Sequence, residues 1–286
     1  MIKVDVIGKT TKIFFSTLED VYKTSEEAKE YSCFNGLCNG FCNGFNYFKN
    51  FDESINSLKY GWQEGTKMID DEITKKYNNI SNKTQIRNEY NIAGFQCSVP
   101  RYLQGIPTNM INQKRVPSKQ KVMTVVKHIG FLGDVSDNEI LENSAKALAI
   151  VKKIESQGTK CNLDIISPVS FDNGAKCVIR VRVKNANERL NIGKIAFAMA
   201  NPDMLRRIMF ALRLVCTEKE MGSLKKGTLK SNYAGASIYD RNEVISYLNP
   251  GEKYLHNFIK DIDDEVKKFE EMKWNKINNI PEWMNL

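Results

Sequence analysis

Residues able to do chemistry are few in this chain. There are two histidines: His128 lies within the run Val122 to Leu132 (VMTVVKHIGFL), and His256 stands at the start of a C-terminal helical pattern. Nucleophilic catalysis needs a nucleophile and a base placed within reach of each other. No serine occupies a nucleophile-elbow context, no glycine pattern makes a phosphate loop and no paired-cysteine signature makes a metal site. His128, set in an apolar strand, reads as a core histidine rather than a base. Hydrolysis therefore has nothing to rest on, and the expectation is a protein that binds rather than catalyses.

Three of the seven cysteines, Cys33, Cys38 and Cys42, fall in CFNGLCNGFCNGFN, where Asn-Gly recurs every four residues. Each Asn-Gly favours positive φ, so successive turns are expected, and three thiolates fall one ligand short of a structural zinc site. Cys161 and Cys177 lie inside strand patterns and read as reduced, packed thiols. The odd count and the lack of an apolar leader core in MIKVDVIGKT point to an intracellular protein.

What the chain offers instead is positive charge. Of a net +8, residues 111–241 carry 23 basic and 12 acidic side chains, residues 1–110 carry 13 of each, and residues 242–286 carry 6 and 9. A concentrated positive field argues for an anionic partner, nucleic acid being the commonest. Arg180, Arg182 and Lys184 share one side of a strand by their i, i+2 spacing, and Arg206, Arg207, Lys225 and Lys226 are candidates to join them. Outward charges on an edge strand also serve simply to block sheet-to-sheet association.

The elements that must position these residues centre on Lys121 to Val183. Val122 to Leu132 is continuously apolar and β-branched, as expected of a central parallel strand covered on both faces. Ser136 and Glu139 form a capping-box pattern ahead of a helix with Ile140, Leu141, Ala145, Leu148, Ala149, Val151 and Ile154 on its apolar face, closed near Gly158. CNLDIIS (161–167) is a second strand with a right-handed crossover. Asp172-Asn173-Gly174 turns the chain into Ala175 to Lys184, whose alternation predicts an antiparallel edge strand with one wet face. Asn201, as cap, and Pro202 restart a helix that leaves Arg206, Arg207 and Arg213 to solvent or a partner. EVISYL (243–248) reads as a last strand, followed by an amphipathic helix from Leu255.

Before this core, VDVI and TKIFF suggest two short strands, Ser16 to Glu19 opens a short helix, and Asp52 caps a helix from Glu53 to about Tyr77 that is interrupted by Gly61 and Gly65. Residues 91–112, with Pro100 and Pro107, read as a connector. The expected division is an α-rich N-terminal lobe over 1–112 and an α/β domain over 113–286. The expected fold class is α/β, with a mostly parallel, doubly covered sheet and an antiparallel edge strand.

This order of elements resembles a von Willebrand factor A-like domain. KALAIVKKIESQGTKCNLDII, KIAFAMANPDMLRRIMFALRL and SLKYGWQEG are similar to an uncharacterised family of phage and mobile-element proteins carrying such a domain. The resemblance implies a phage or prophage origin and the doubly covered sheet, and no activity. In the wider group a DxSxS loop after the central strand often holds a divalent metal. The corresponding Asp134, Ser136 and Asn138 give a degenerate version, with Mg²⁺ as the ion its oxygen donors would suit. Ser136 is, however, already assigned to the helix cap. The leading expectation is thus a non-enzymatic phage binding protein contacting nucleic acid or a protein. The alternative is a virion or assembly component acting through protein contacts.

Overall fold

The computed structural model describes residues 1–30, 38, 48, 50–77, 86–115, 122–131, 135–156, 159–171, 174–220 and 236–255. Ten strands are described: β1 (Ile2–Ile7), β2 (Thr10–Phe15), β3 (Ile86–Asn91), β4 (Gln96–Cys97), β5 (Met110–Arg115), β6 (Val122–His128), β7 (Lys160–Ser170), β8 (Lys176–Lys184), β9 (Ala236–Ser237) and β10 (Lys253–Leu255). The α-helices are α1 (Leu18–Glu27), α2 (Phe51–Tyr60), α3 (Gln63–Tyr77), α4 (Val99–Leu103), α5 (Asp137–Ser156), α6 (Ile192–Ala200), α7 (Phe210–Glu220) and α8 (Arg241–Ser246), with a π-helical stretch, Met204–Met209, leading into α7.

The main sheet has the order β1-β2-β8-β7-β6-β10, with β9 added against β7. β6 runs parallel to both β7 and β10, β2 runs parallel to β8, and β7 and β8 form an antiparallel hairpin. The mixed α/β class and the largely parallel arrangement from β2 to β10 are as expected. The β6-α5-β7 crossover follows from a continuous apolar strand, a capping box and a broad helix face. The Ser136 and Glu139 backbone N–H groups are exchanged with Glu139 Oε2 (2.9 Å) and Ser136 Oγ (3.4 Å).

The two faces of the sheet are covered differently. On one, Ile13, Phe15, Val125, Leu163, Ile165, Ile179 and Val181 join the main core beneath α1, α5, α6 and α7. α6 is buried almost all round, so it lies inside a double helical layer, with β8 on one side and α2, α3 and α5 on others. On the other face Val126, Ile166 and Val178 pack against Ile238, Val244 and Tyr254, a small cap built from β9, α8 and β10.

Several expectations are corrected. β8 is not an edge strand: β2, more than 160 residues away in sequence, pairs with it from Thr10↔Lys176 to Phe15↔Val181. That pairing also places β1 and β2 in the main sheet, and α2 and α3 pack on α6, so a boundary at residue 112 does not separate the N-terminal elements from the α/β core. Residues 86–115 make a small sheet of their own, β3-β5-β4, rather than a connector. The helix expected from Glu53 to about Tyr77 is interrupted at Gly61, as expected, but Gly65 lies inside α3. Asn50, not Asp52, accepts the N–H of Glu53, and the chain breaks at Gly61, whose φ of +96° disfavours any side chain. EVISYL lies mostly in α8, with Asp240 as its cap, because the Asp240–Glu243 bond starts a helical turn that a six-residue apolar pattern cannot distinguish from a strand.

Candidate functional site

The basic residues expected to form a contact surface are largely consumed inside the fold. Along the capped face of the sheet, Asp164 of β7 is fully buried and faces two arginines of β8. Arg180 Nε donates to Asp164 Oδ2 (2.7 Å), and Arg182 Nε donates to Asp164 Oδ1 (2.8 Å). The outer edge of Arg180 makes a two-point contact with Glu252, each Nη 2.7 Å from a carboxylate oxygen. Phe14 of β2 lies under both guanidinium groups, 5.7 and 5.4 Å from its ring centre. Burial pulls the Arg180 pKa down, but its bonds to Glu252 and the charges of Asp164 and Glu252 outweigh this and hold it above the usual value. Burial pushes the Glu252 carboxyl up, and the Arg180 contact overrides it and holds it below its ordinary value.

Lys184 does not share this lattice. The β7–β8 register shifts between Leu163 and Asp164, and the Lys184 ammonium is buried, donating to Glu155 Oε1 (2.5 Å) and to the carbonyl of Cys161 (2.9 Å). Arg207 and Arg213, expected to face solvent, are 1% and 2% exposed. For Arg207 the physical reason is the second helical layer, α1 and α2 packing over the Met204–Met209 stretch, whereas Arg213 turns inward to the sheet. Arg207 pairs with Asp203 (3.2 Å), Asp203 accepts from Ser54 of α2 (3.0 Å), and Arg213 donates to Ser167 of β7 (2.7 Å). Burial raises the Asp203 carboxyl, an effect only partly offset by Arg207 and Ser54. Arg206 is half-buried, its guanidinium 5.6 Å from the ring centre of Phe131. Lys225 and Lys226 lie outside the described residues.

In the loop after β6, Asp134 also lies outside the described residues. Ser136 donates its hydroxyl to Glu139 Oε2 (2.9 Å), so the side chain offered as a metal ligand is engaged in the helix cap; Asn138 is exposed in the first turn of α5. Among the described residues no group of three or more His, Cys, Asp or Glu side chains is placed to hold a metal ion. His128 is fully buried, with its ring between those of Tyr239 (5.9 Å) and Tyr254 (6.4 Å). Cys161 and Cys177 are buried free thiols, both pushed up to about 12 by burial, while Cys33, Cys42 and His256 lie outside the described residues.

A site the residue patterns did not single out lies at the C-terminal end of β6. There the strand end (Lys127, Ile129, Phe131), the first turns of α5 (Ile140, Asn143), the end of α6 (Ala198, Met199, Asn201) and the π-helical stretch (Met204, Leu205) line a small cleft with room for little more than a water molecule. Crevices beyond the carboxyl ends of parallel strands are where open α/β sheets hold ligands. Lys127 points to the helix-covered side of the sheet, where its ammonium donates to Ser144 Oγ and to the carbonyl of Met199, both at 2.9 Å. Burial lowers its pKa to about 7. Asn201 is equally buried; its Oδ1 accepts the N–H of Asp203 (2.8 Å), while its Nδ2 has no acceptor among the described residues. The readable signal was the lone lysine in VVKHI, a charge inside an otherwise apolar strand.

No helix among the described residues is long and apolar enough to cross a membrane. No curated protein and no solved structure matches the chain. A family model described as a domain of unknown function, DUF7192, matches residues 3–272, nearly the whole chain, and the chain therefore belongs to that family.

Proposed function

We propose that this chain is a non-enzymatic binding module whose partner is anionic, with nucleic acid as the best-fitting class. The observation that carries this reading is the surplus of positive charge that survives internal pairing. Arg180, Arg182, Lys184 and Arg207 are held by Asp164, Glu252, Glu155 and Asp203. Taking away those four cations and the three carboxylates in the same stretch, with the pairs Lys146–Glu142, Lys152–Asp70 and Lys176–Glu243, leaves 16 basic against 8 acidic side chains over residues 111–241. The contact surface is thus drawn from other basic residues, Lys225 and Lys226 among them, and the arginines of β8 are a structural lattice. The order β6-α5-β7 followed by antiparallel β8 supports a von Willebrand A-like domain extended by β2 and β1. A phage or prophage origin and a place in the host cytoplasm rest on the sequence resemblance alone. Mg²⁺ at the 134–138 loop has little support beside the Ser136 cap.

The test is a fluorescence-anisotropy titration of labelled single- and double-stranded oligonucleotides. Binding at low salt that falls steeply as salt rises, through counterion release, supports the reading. Absence of binding at low salt removes it.

One observation favours the alternative of an assembly component working through protein contacts. β1 is the last strand of the main sheet, and Ile2, Val4, Val6 and Ile7 are 36–58% exposed along it. An exposed apolar edge is a template for adding a strand. Light scattering that finds a monomer at all accessible concentrations argues against self-assembly through this edge.

A further inference from the structure

We propose that β1 seats a second copy of this chain, which lays its own β1 antiparallel across a two-fold axis at Val4 so that the two main sheets run on into one. The proposal rests on the assembly reading of this edge and deepens it by naming the occupant and the register. β1 ends the main sheet, and no strand among the described residues pairs with its outer side. The hairpin fixes its hydrogen-bonding phase. The register runs from Ile2↔Phe15 to Ile7↔Thr10, and the Ser16 N–H donates to the Met1 carbonyl, so Lys3, Asp5 and Ile7 are the positions that bond β2. Alternation along an antiparallel ladder then turns the N–H and C=O groups of Ile2, Val4 and Val6 outward.

Two constraints select one register. A second β1 bonds only where outward groups meet outward groups, so Ile2, Val4 and Val6 of one copy lie opposite members of the same set in the other. With the axis at Val4, Ile2 stands opposite Val6 and Lys3 opposite Asp5, each twice by symmetry. Moving the axis to Lys3 or to Asp5 keeps the bonding phase but sets like charges directly opposite each other. Opposite charges across a ladder stabilise it and like charges oppose it, so Ile2-Lys3-Val4-Asp5-Val6 is complementary to itself read backwards. That self-complementarity is the argument for a second copy over any other strand. The apolar row agrees with it. Ile2, Val4 and Val6 lie beside Phe15, Ile13 and Thr11 on the helix-covered face, yet are 44%, 36% and 55% exposed in the single chain. A two-fold contact uses the β1 edge of both copies and therefore stops at two.

Sedimentation velocity of the full chain over a wide range of concentration should show a dimer. Val4→Pro removes an outward N–H that no bond to β2 uses and should abolish it. Lys3→Asp and Asp5→Lys should each weaken the dimer about tenfold or more. Mixing these two variants should restore it as a heterodimer, because a chain with two aspartates on β1 then meets one with two lysines. Thermal unfolding of each variant checks that the fold is intact, and should Val4→Pro unfold, the mixing experiment decides alone. A dimer that persists in all three variants, or one that the charge variants lose and mixing does not restore, overturns the proposal and leaves assembly through other contacts standing. A monomer that instead holds a different protein on β1, released by Val4→Pro, overturns the second copy as occupant and also leaves that reading standing. A monomer that holds nothing there overturns both. None of these results bears on oligonucleotide binding, which is read separately.

Discussion

Arg180 and Glu252 meet in a two-point contact across 72 residues of chain, Nη1 and Nη2 each 2.7 Å from a carboxylate oxygen, and this fastens the turn before β10 to the interior of the sheet. β10 is three residues long and pairs with β6 only from Lys253 to Leu255, so its own ladder is a weak hold. Asn249 adds to the tether: its backbone N–H donates to Glu252 Oε2 (2.9 Å).

Glu252→Gln should therefore loosen the segment around β10 more than it alters the rest of the sheet. Both partners are about 12% exposed, so the expected loss is about 2–3 kcal/mol, below that of a fully buried pair. Hydrogen exchange should speed up at the amides of 253–255 while those of β7 stay protected. Uniform acceleration across the sheet contradicts a local role.

Asp164→Asn should cost more. The carboxylate is fully buried and shared by two arginines, and its neutralisation leaves two guanidinium groups facing each other over Phe14. Breaking a buried ion pair from one side costs roughly 3–5 kcal/mol. A denaturant midpoint within experimental scatter of the wild-type value would show that the lattice contributes nothing.

Lys127 sets a pH dependence of known sign. Its folded-state pKa is about 7 against 10.5 for the free side chain, so between these values the unfolded chain holds a proton that the folded chain does not. Stability from this residue therefore rises with pH across that window and is least below pH 7. The full difference is on the order of 5 kcal/mol. Comparing Lys127→Met with the wild-type chain cancels the thiols of Cys161 and Cys177, which both chains share. The variant should lead by most at pH 6 and lose that lead by pH 10. A constant difference over the range contradicts a desolvated ammonium.

Gly61→Ala tests the elbow between α2 and α3. The site has φ of +96°, and a Cβ there would lie 2.6 Å from the carbonyl oxygen of Gly193 at the start of α6. The left-handed backbone alone costs on the order of 1–2 kcal/mol, and the clash with main chain adds to it. Thermal unfolding of the variant at or above the wild-type temperature would show that the elbow has room to move.

Charge reversal at Lys225 and Lys226, set beside Arg182→Gln, separates a role in oligonucleotide binding from a role in the β8 lattice. Lys225→Glu with Lys226→Glu should weaken oligonucleotide binding at low salt and leave the unfolding temperature nearly unchanged, whereas Arg182→Gln should do the opposite. Anisotropy and thermal unfolding on the same preparations check both halves.

The residues alone determined the local grammar of this protein. Ser136 and Glu139 write a capping box because their spacing lets each reach the other's N–H, and the β-branched run at 122–128 makes a covered strand because little in it suits water beyond Thr124, Lys127 and His128. Gly174, with φ of +75°, turns β7 into β8 as the Asp-Asn-Gly sequence asks. Tertiary structure decided everything that depends on which distant segment arrives beside a strand or helix. Local periodicity shows that Arg180 and Arg182 share a face but carries no information that β2 will take the outer edge of β8, or that Asp164 and Glu252 will absorb both guanidinium groups. It likewise shows one apolar stripe on the helix after Pro202, yet α1 and α2 come to lie over the stretch that holds Arg207, and Arg213 is buried against Ser167 of the sheet. Whether a charge meets solvent or a counter-charge is settled by contacts between residues far apart in the chain, and those exist only once the layers have packed.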